Sequence, residues 1–212
     1  MDIKSYWERK HSRYEKADWI DTPSIFAEFA LEYFPKKGTV LDLGAGQGQD
    51  SRFFASLGYD VLSTDFSDYA LSLSKKKTKN LENIKWQNID MSKGVLPFSD
   101  SSFDVVYANL SLHYFDSEIT EKLFSEIRRV LKNNGIVAML LNSIKDPEVK
   151  TLKSIGDGLY EDERGLEKRY FSVDYLKDKA AGKFNITLLD YNGARYDNER
   201  TQESLRFIGK KL

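Results

Sequence analysis

The sequence predicts a doubly wound α/β fold: a seven-stranded sheet, mostly parallel, finished by an antiparallel C-terminal hairpin strand. Three observations carry this. Short apolar runs alternate with helical apolar stripes between residues 39 and 141, the pattern of strands joined by helical crossovers. The first run ends in three glycines at alternate positions, Gly44, Gly46 and Gly48, directly before a helix start. The last two apolar runs, 184–191 and 204–210, lie too close together for a helical crossover and are expected to pair antiparallel.

The elements follow in chain order. Residues 1–21 are crowded with aromatic and charged side chains, among them Tyr6, Trp7, His11, Tyr14 and Trp19. Ile3, Trp7 and Tyr14 keep a rough helical spacing, so a short amphipathic segment is expected. Thr22-Pro23 reads as an N-cap followed by proline at the first helical position. The helix it opens is striped by Ile25, Phe26, Phe29, Ala30, Tyr33 and Phe34, and Pro35 and Gly38 stop it. Thr39–Leu43 is the first strand, and the helix Gln49–Leu57 after it ends at Gly58. Asp60–Thr64 is the second strand, Ser67 caps a helix reaching about Lys77, and Ile84–Ile89 is the third strand. Phe103–Ala108 has the continuous apolar character of a strand buried on both faces. Asp116 or Ser117 starts a helix with Ile119, Leu123, Phe124, Ile127, Val130 and Leu131 on one side. Asn133-Asn134-Gly135 is expected to end it before a fifth strand at Ile136–Leu141. Pro147 and several glycines break the rhythm over residues 142–170, an insertion at the carboxyl edge of the sheet, where such folds bind ligands. A helix over Phe171–Lys179, capped by Ser172, precedes the hairpin. The 212 residues are expected to form one domain, 1–212, with 1–21 as an N-terminal lid segment and 142–170 near the substrate pocket.

Composition narrows the function. Lys and Arg number 32 against 33 Asp and Glu, a formal net charge of −1, which argues against a surface built to hold nucleic acid. The absence of cysteine excludes disulfides, cysteine nucleophiles and thiolate metal sites, and no metal is expected. No apolar run approaches the ~20 residues of a membrane span, and Met1-Asp2-Ile3-Lys4 is not the start of a signal peptide. The expected compartment is the cytoplasm, without a membrane partner, and monomer and dimer are both compatible with the pattern. The one basic run, Lys75-Lys76-Lys77-Thr78-Lys79, complements the dipole of a helix C-terminus.

The glycine turn carries the chemistry. Glycine allows φ > 0 and removes the Cβ, so a ligand can come close to the backbone. A dinucleotide fingerprint, G-x-G-x-x-G, needs its third glycine at position 49, where Gln49 stands. The chain instead reads D-x-G-x-G-x-G from Asp42 to Gly48. This resembles motif I of the class I S-adenosylmethionine-dependent methyltransferases, a Rossmann-like group. The overall style is similar to the methyltransferase domain 11/25 group and to the tellurite-resistance-type methyltransferases. The resemblance implies that Gly44, Ala45, Gly46 and Gly48 pass under the methionine part of S-adenosyl-L-methionine, with Asp42 near its ammonium group and S-adenosyl-L-homocysteine as the product.

Asp65 ends the second strand about 20 residues past the glycines, where a carboxylate accepts the ribose hydroxyls, and Phe66 is a candidate for the adenine face. In the resembled family an acidic residue at the end of the third strand accepts from the adenine amino group and the next side chain contacts the ring; Asp90 and Met91 match. Ala108-Asn109-Leu110-Ser111-Leu112-His113-Tyr114-Phe115 resembles motif IV of small-molecule methyltransferases. It implies Asn109 and Leu110 beside the methionine portion and Ser111 to Tyr114 facing the acceptor. The Asn/Asp-Pro-Pro-Tyr form that holds planar amino groups is missing, which argues against DNA adenine or protein glutamine as acceptors. His113 is a candidate general base, with a purely positioning role equally compatible. Trp7 and Tyr14 are candidates to close over the sulfonium by cation–π contact, Arg9 to meet the cofactor carboxylate, and Tyr170 and Arg195 to line the pocket. The expected function is methyl transfer to a small-molecule acceptor. Its alternatives are an RNA or protein methyltransferase docking through the lysine run, a non-catalytic S-adenosylmethionine-binding module, and a nicotinamide dehydrogenase, which the missing third glycine disfavours.

Overall fold

Helix α1 (Ile3–Tyr14) opens the computed structural model, which describes residues 3–78, 80–194 and 203–212. A 3-10 turn at Asp18–Asp21 leads to α2 (Ile25–Ala30), which tightens into a second 3-10 turn at Leu31–Tyr33. The cap of α2 is Ser24 and not Thr22. Ser24 Oγ accepts from the Ala27 amide, while the Thr22 hydroxyl donates back to the Trp19 carbonyl and closes the preceding turn. Ser24 wins because Asp50 also grips it, accepting from its amide at 2.7 Å and its hydroxyl at 2.8 Å.

The alternating middle forms β1 (Thr39–Leu43), α3 (Gln49–Ser56), β2 (Asp60–Asp65), α4 (Asp68–Lys77), β3 (Ile84–Asn88), β4 (Phe103–Asn109) and α5 (Ser117–Val130). Ser67 and Asp116 cap α4 and α5 through their side chains, each worth about 1 kcal/mol. The next strand departs from expectation. β5 (Leu131–Asn142) begins directly after α5, so Asn133-Asn134-Gly135 lies within the strand and does not end the helix. Leu131 is already extended, Asn134 takes a left-handed φ of 64°, and the pairing with β4 slips between Phe103 and Val105. The turn chemistry of Asn-Asn-Gly therefore makes a bulge.

The insertion is also more ordered than its composition suggests. After a 3-10 turn at Pro147–Thr151 it folds into a small antiparallel sheet of β6 (Lys153–Gly156), β7 (Leu159–Glu161) and β8 (Glu167–Arg169). Helix α6 (Val173–Ala180), capped by Ser172, leads into β9 (Phe184–Gly193) and β10 (Ser204–Lys211).

The main sheet has the order β3-β2-β1-β4-β5-β10-β9. Pairing is parallel through β5, and β10 runs antiparallel to both its neighbours. Side chains alternate between two buried layers, as the two-residue period of strands requires. Leu41, Leu43, Val106, Ala108, Val137 and Met139 pack under α5 and α6, whereas Val40, Val105, Tyr107, Ala138 and Leu140 pack against α2 and α3. The strand order reverses at β1, which opens a crevice at the carboxyl ends of β1 and β4. No helix among the described residues is long and apolar enough to cross a membrane.

Candidate functional site

The turn from β1 into α3 needs each of its glycines for a different reason. Gly44, Gly46 and Gly48 all hold left-handed φ values, 72°, 57° and 72°. A Cβ on Gly44 would run into the Ser111 side chain, and one on Gly46 would meet His11 Cε1 at 3.1 Å. A Cβ on Gly48 would collide with the Ser74 hydroxyl, and Gly48 is the left-handed residue preceding α3. Gly44, Ala45 and Gly46 line a cavity of about 870 Å³ at the crevice; Gly48 does not. The third glycine is thus explained by the helix start and its packing against α4.

Three carboxylates gather beneath this turn. Asp42, 2 % exposed, accepts from Ser51 Oγ at 2.6 Å. Burial, reinforced by the charge of Asp50, pushes its carboxyl well above the usual carboxylate range. Asp50 accepts from Ser24, from Tyr107 OH at 2.8 Å and from Asn109 Nδ2 at 3.0 Å, tying α2, α3 and β4 together. Asp65 accepts from the Gly46 amide and the Ser67 amide, both at 2.9 Å. Burial raises its carboxyl, against the opposing pull of His11 and these amides. All three line the cavity.

Two neutral acceptors face the same space. Gln47, 1 % exposed, donates Nε2 to the His11 carbonyl, which leaves its buried Oε1 without a partner. Asn109 spends its amide on Asp50, and its buried Oδ1 is likewise unpartnered. Leu110, in a left-handed conformation with φ of 53°, turns the chain so that Ser111 lies over Gly44 and donates to the Leu43 carbonyl at 2.5 Å. Phe66, Asp90 and Met91 line the cavity beyond β2 and β3; Asp90 is exposed and also accepts from the Ser92 amide.

Helix α1 lines one side of the cavity. Trp7 and Tyr14 both line it, with the Trp7 ring 5.6 Å from Tyr114 and the Tyr14 ring 5.1 Å from Trp19. Arg9, expected at the cofactor carboxylate, lies on the exposed side of α1 and is not among the lining residues. His113 lines the cavity beside Tyr114, their rings 4.2 Å apart, and its carbonyl accepts from the Arg169 amide at 2.7 Å. Tyr170 is buried against Glu148 and does not reach the cavity wall. Arg195 lies outside the described residues.

Of the residues lining the cavity, motif spacing singles out the glycine turn, Asp42, Asp65 and the segment after β4. It does not single out Asp50, Gln47 or His11, which line the cavity as well. The only sequence signal for them is adjacency to the turn for Gln47 and Asp50; His11 carries none beyond its place in an aromatic stretch.

Residues 41–139 match the model of a methyltransferase domain family. Phosphoethanolamine N-methyltransferase 1 of Triticum aestivum is 25 % identical over 99 % of the chain and 44 % of its own length. The demethylmenaquinone methyltransferase of Tropheryma whipplei is 33 % identical over 45 % of the chain and 38 % of its length. The chain therefore spans less than half the length of these curated relatives. Among solved structures, the Burkholderia thailandensis 1,6-didemethyltoxoflavin-N1-methyltransferase, with 1,6-didemethyltoxoflavin and S-adenosylhomocysteine bound, has a TM-score of 0.73 at 17 % identity. That match covers 100 % of this chain and 86 % of the other, and it is a likeness of fold.

Proposed function

We propose that this chain, which carries a methyltransferase domain over residues 41–139, transfers the methyl group of S-adenosylmethionine to a small-molecule acceptor. The observation that carries the reading is the gathering of carboxyl groups and unpartnered acceptors around an alternate-glycine turn: Asp42, Asp50 and Asp65 with Gln47 Oε1 and Asn109 Oδ1. A cation bearing hydrogen-bond donors answers that demand, because it neutralises charges that burial alone disfavours. A pyrophosphate would be repelled by it.

In this reading Gly44, Ala45, Gly46 and Leu110 pack against the methionine portion and Asp42 and Asn109 face its ammonium group. Asp65 takes the ribose hydroxyls, while Phe66, Asp90 and Met91 form the adenine end. Bound S-adenosylmethionine supplies an already activated methyl group. The protein's own contribution is then to orient the acceptor in line and to exclude water. Trp7 and Tyr14 cover the site from α1, with cation–π contact worth about 0.5–2 kcal/mol. His113, fixed through its carbonyl by Arg169 and flanked by Tyr114, orients the acceptor or takes its proton. Asn142, Glu148 and Lys168 line the acceptor end. The whole chain acts as one domain in the cytoplasm, with α1 as its lid and the insertion as the outer wall of the acceptor pocket.

A small acceptor is favoured over RNA or protein by the cavity that α1 lines and by the formal net charge of −1. Relatives named for phosphoethanolamine and demethylmenaquinone point the same way, whereas one named for ribosomal protein L11 points to a protein acceptor. The test uses S-adenosylmethionine labelled in its methyl group, incubated with the protein and with either the ultrafiltrate or the macromolecular fraction of a cell extract. Label is expected in the ultrafiltrate. Label confined to RNA or protein contradicts the small acceptor, and tight cofactor binding with no transfer to either fraction makes the chain a binding module.

A further inference from the structure

Helix α1 sends one side chain past the rim and onto the turn itself. His11 is 6 % exposed and is the buried residue of that helix. Its Cε1 stands 3.1 Å from where a Cβ on Gly46 would sit, so the imidazole rests directly on the turn. Gln47 holds it there, donating Nε2 to the His11 carbonyl at 2.8 Å. The ring lies 5.7 Å from Trp7 and 6.3 Å from Tyr14, a setting that leaves Nδ1 buried without a hydrogen-bond partner. A buried polar atom in that state is costly, and the residue that carries it lines the cavity. Asp65 borders the same space. Its Oδ2 accepts from the Gly46 amide beneath the imidazole, and the two side chains interact electrostatically. The amides of Gly46, Ser67 and Phe66 bond the Asp65 carboxyl, whose two oxygens together can accept a further donor.

We propose that His11 is a cofactor-binding residue: with Asp65 it grips the ribose hydroxyls of the bound S-adenosyl group, so that docking of α1 and cofactor binding form one event. The inference rests on the methyl-donor reading above. A pair of neighbouring hydroxyls suits these two groups, since each hydroxyl both donates and accepts. The carboxylate takes a proton donor, and imidazole Nδ1 accepts or donates according to its tautomer.

The test compares S-adenosylhomocysteine with 5′-methylthioadenosine, which keeps the adenine and ribose and lacks the amino-acid portion. Dissociation constants are measured by calorimetry for the unsubstituted protein and for His11→Phe, which keeps an aromatic ring on Gly46; His11→Gln replaces it if the phenylalanine variant fails to fold. Hydrogen exchange over residues 3–14 is followed with and without S-adenosylhomocysteine. Both ligands are expected to weaken at least tenfold and by similar factors, and the ligand-induced protection of α1 is expected to shrink. Unchanged affinity overturns the role of His11. A loss confined to S-adenosylhomocysteine also overturns it, by moving His11 to the amino-acid end. Failure of the unsubstituted protein to bind S-adenosylhomocysteine defeats the donor reading itself.

Discussion

Gly46 and Gly48 are two residues apart, share a left-handed backbone and differ in what they do. Gly48 starts α3 and packs on Ser74, whose hydroxyl also accepts from Trp86 Nε1 at 3.0 Å. Gly48→Ala adds backbone strain and overpacking together, and it should cost about 2–4 kcal/mol in chemical denaturation while sparing the affinity of the folded fraction for S-adenosylhomocysteine. Gly46→Ala meets only the His11 ring and should act chiefly on affinity. Equal effects of the two on stability would remove the distinction. At this scale the sequence shows the glycines and the aspartates at strand ends, because their roles follow from position along the chain. It hides Asp50, whose partners Ser24, Tyr107 and Asn109 stand 26, 57 and 59 residues away. An aspartate in the first turn of a helix otherwise needs no further explanation.

Among the elements, α1 carries a buried imidazole that ties its docking to pH. The imidazole of His11 faces Asp65, with the rings of Trp7 and Tyr14 beside it. Burial holds it below its ordinary value of 6.5, and Asp65 opposes that only in part. The docked helix therefore binds fewer protons than the undocked one, so docking is fully supported above about pH 6.5 and weakens as pH falls below it. Proteolysis at Arg9 or Lys10, or hydrogen exchange across residues 3–14, should accelerate on acidification from neutral pH. A rate that instead fell with acid, after correction for intrinsic exchange, would contradict the sign.

The insertion is the converse case. Its sheet is held to the segment after β4 by Arg169, 1 % exposed, which donates Nε to the Phe115 carbonyl at 3.0 Å and pairs with Asp157 at 3.0 Å. Strands of three or four residues, nearly all partly exposed, carry no alternation to read, which is why composition alone suggested irregular chain. The Asn-Asn-Gly bulge in β5 misled for a related reason: the same residues suit a helix end or a bulge, and only pairing with β4 decides.

Over the whole molecule, the main sheet was legible because its central strands are buried on both faces and read as continuous apolar runs, while the C-terminal pair lacked room for a crossover. That topology sets β1 and β4 side by side and directs Asp42, Asp65 and Asn109 to one crevice. In the proposed reading the carboxyl groups of the crevice favour a sulfonium nucleoside over a dinucleotide. In the same proposed reading the acceptor is selected by α1 and the insertion, which the strand pattern does not reach. The most direct check on the central claim is calorimetric titration of the protein with S-adenosylhomocysteine and, separately, with NAD. S-adenosylhomocysteine should bind and NAD should not, and Asp65→Ala should weaken the former by about 1.5–3 kcal/mol, the worth of charge-assisted hydrogen bonds. Binding of NAD without binding of S-adenosylhomocysteine would contradict the account.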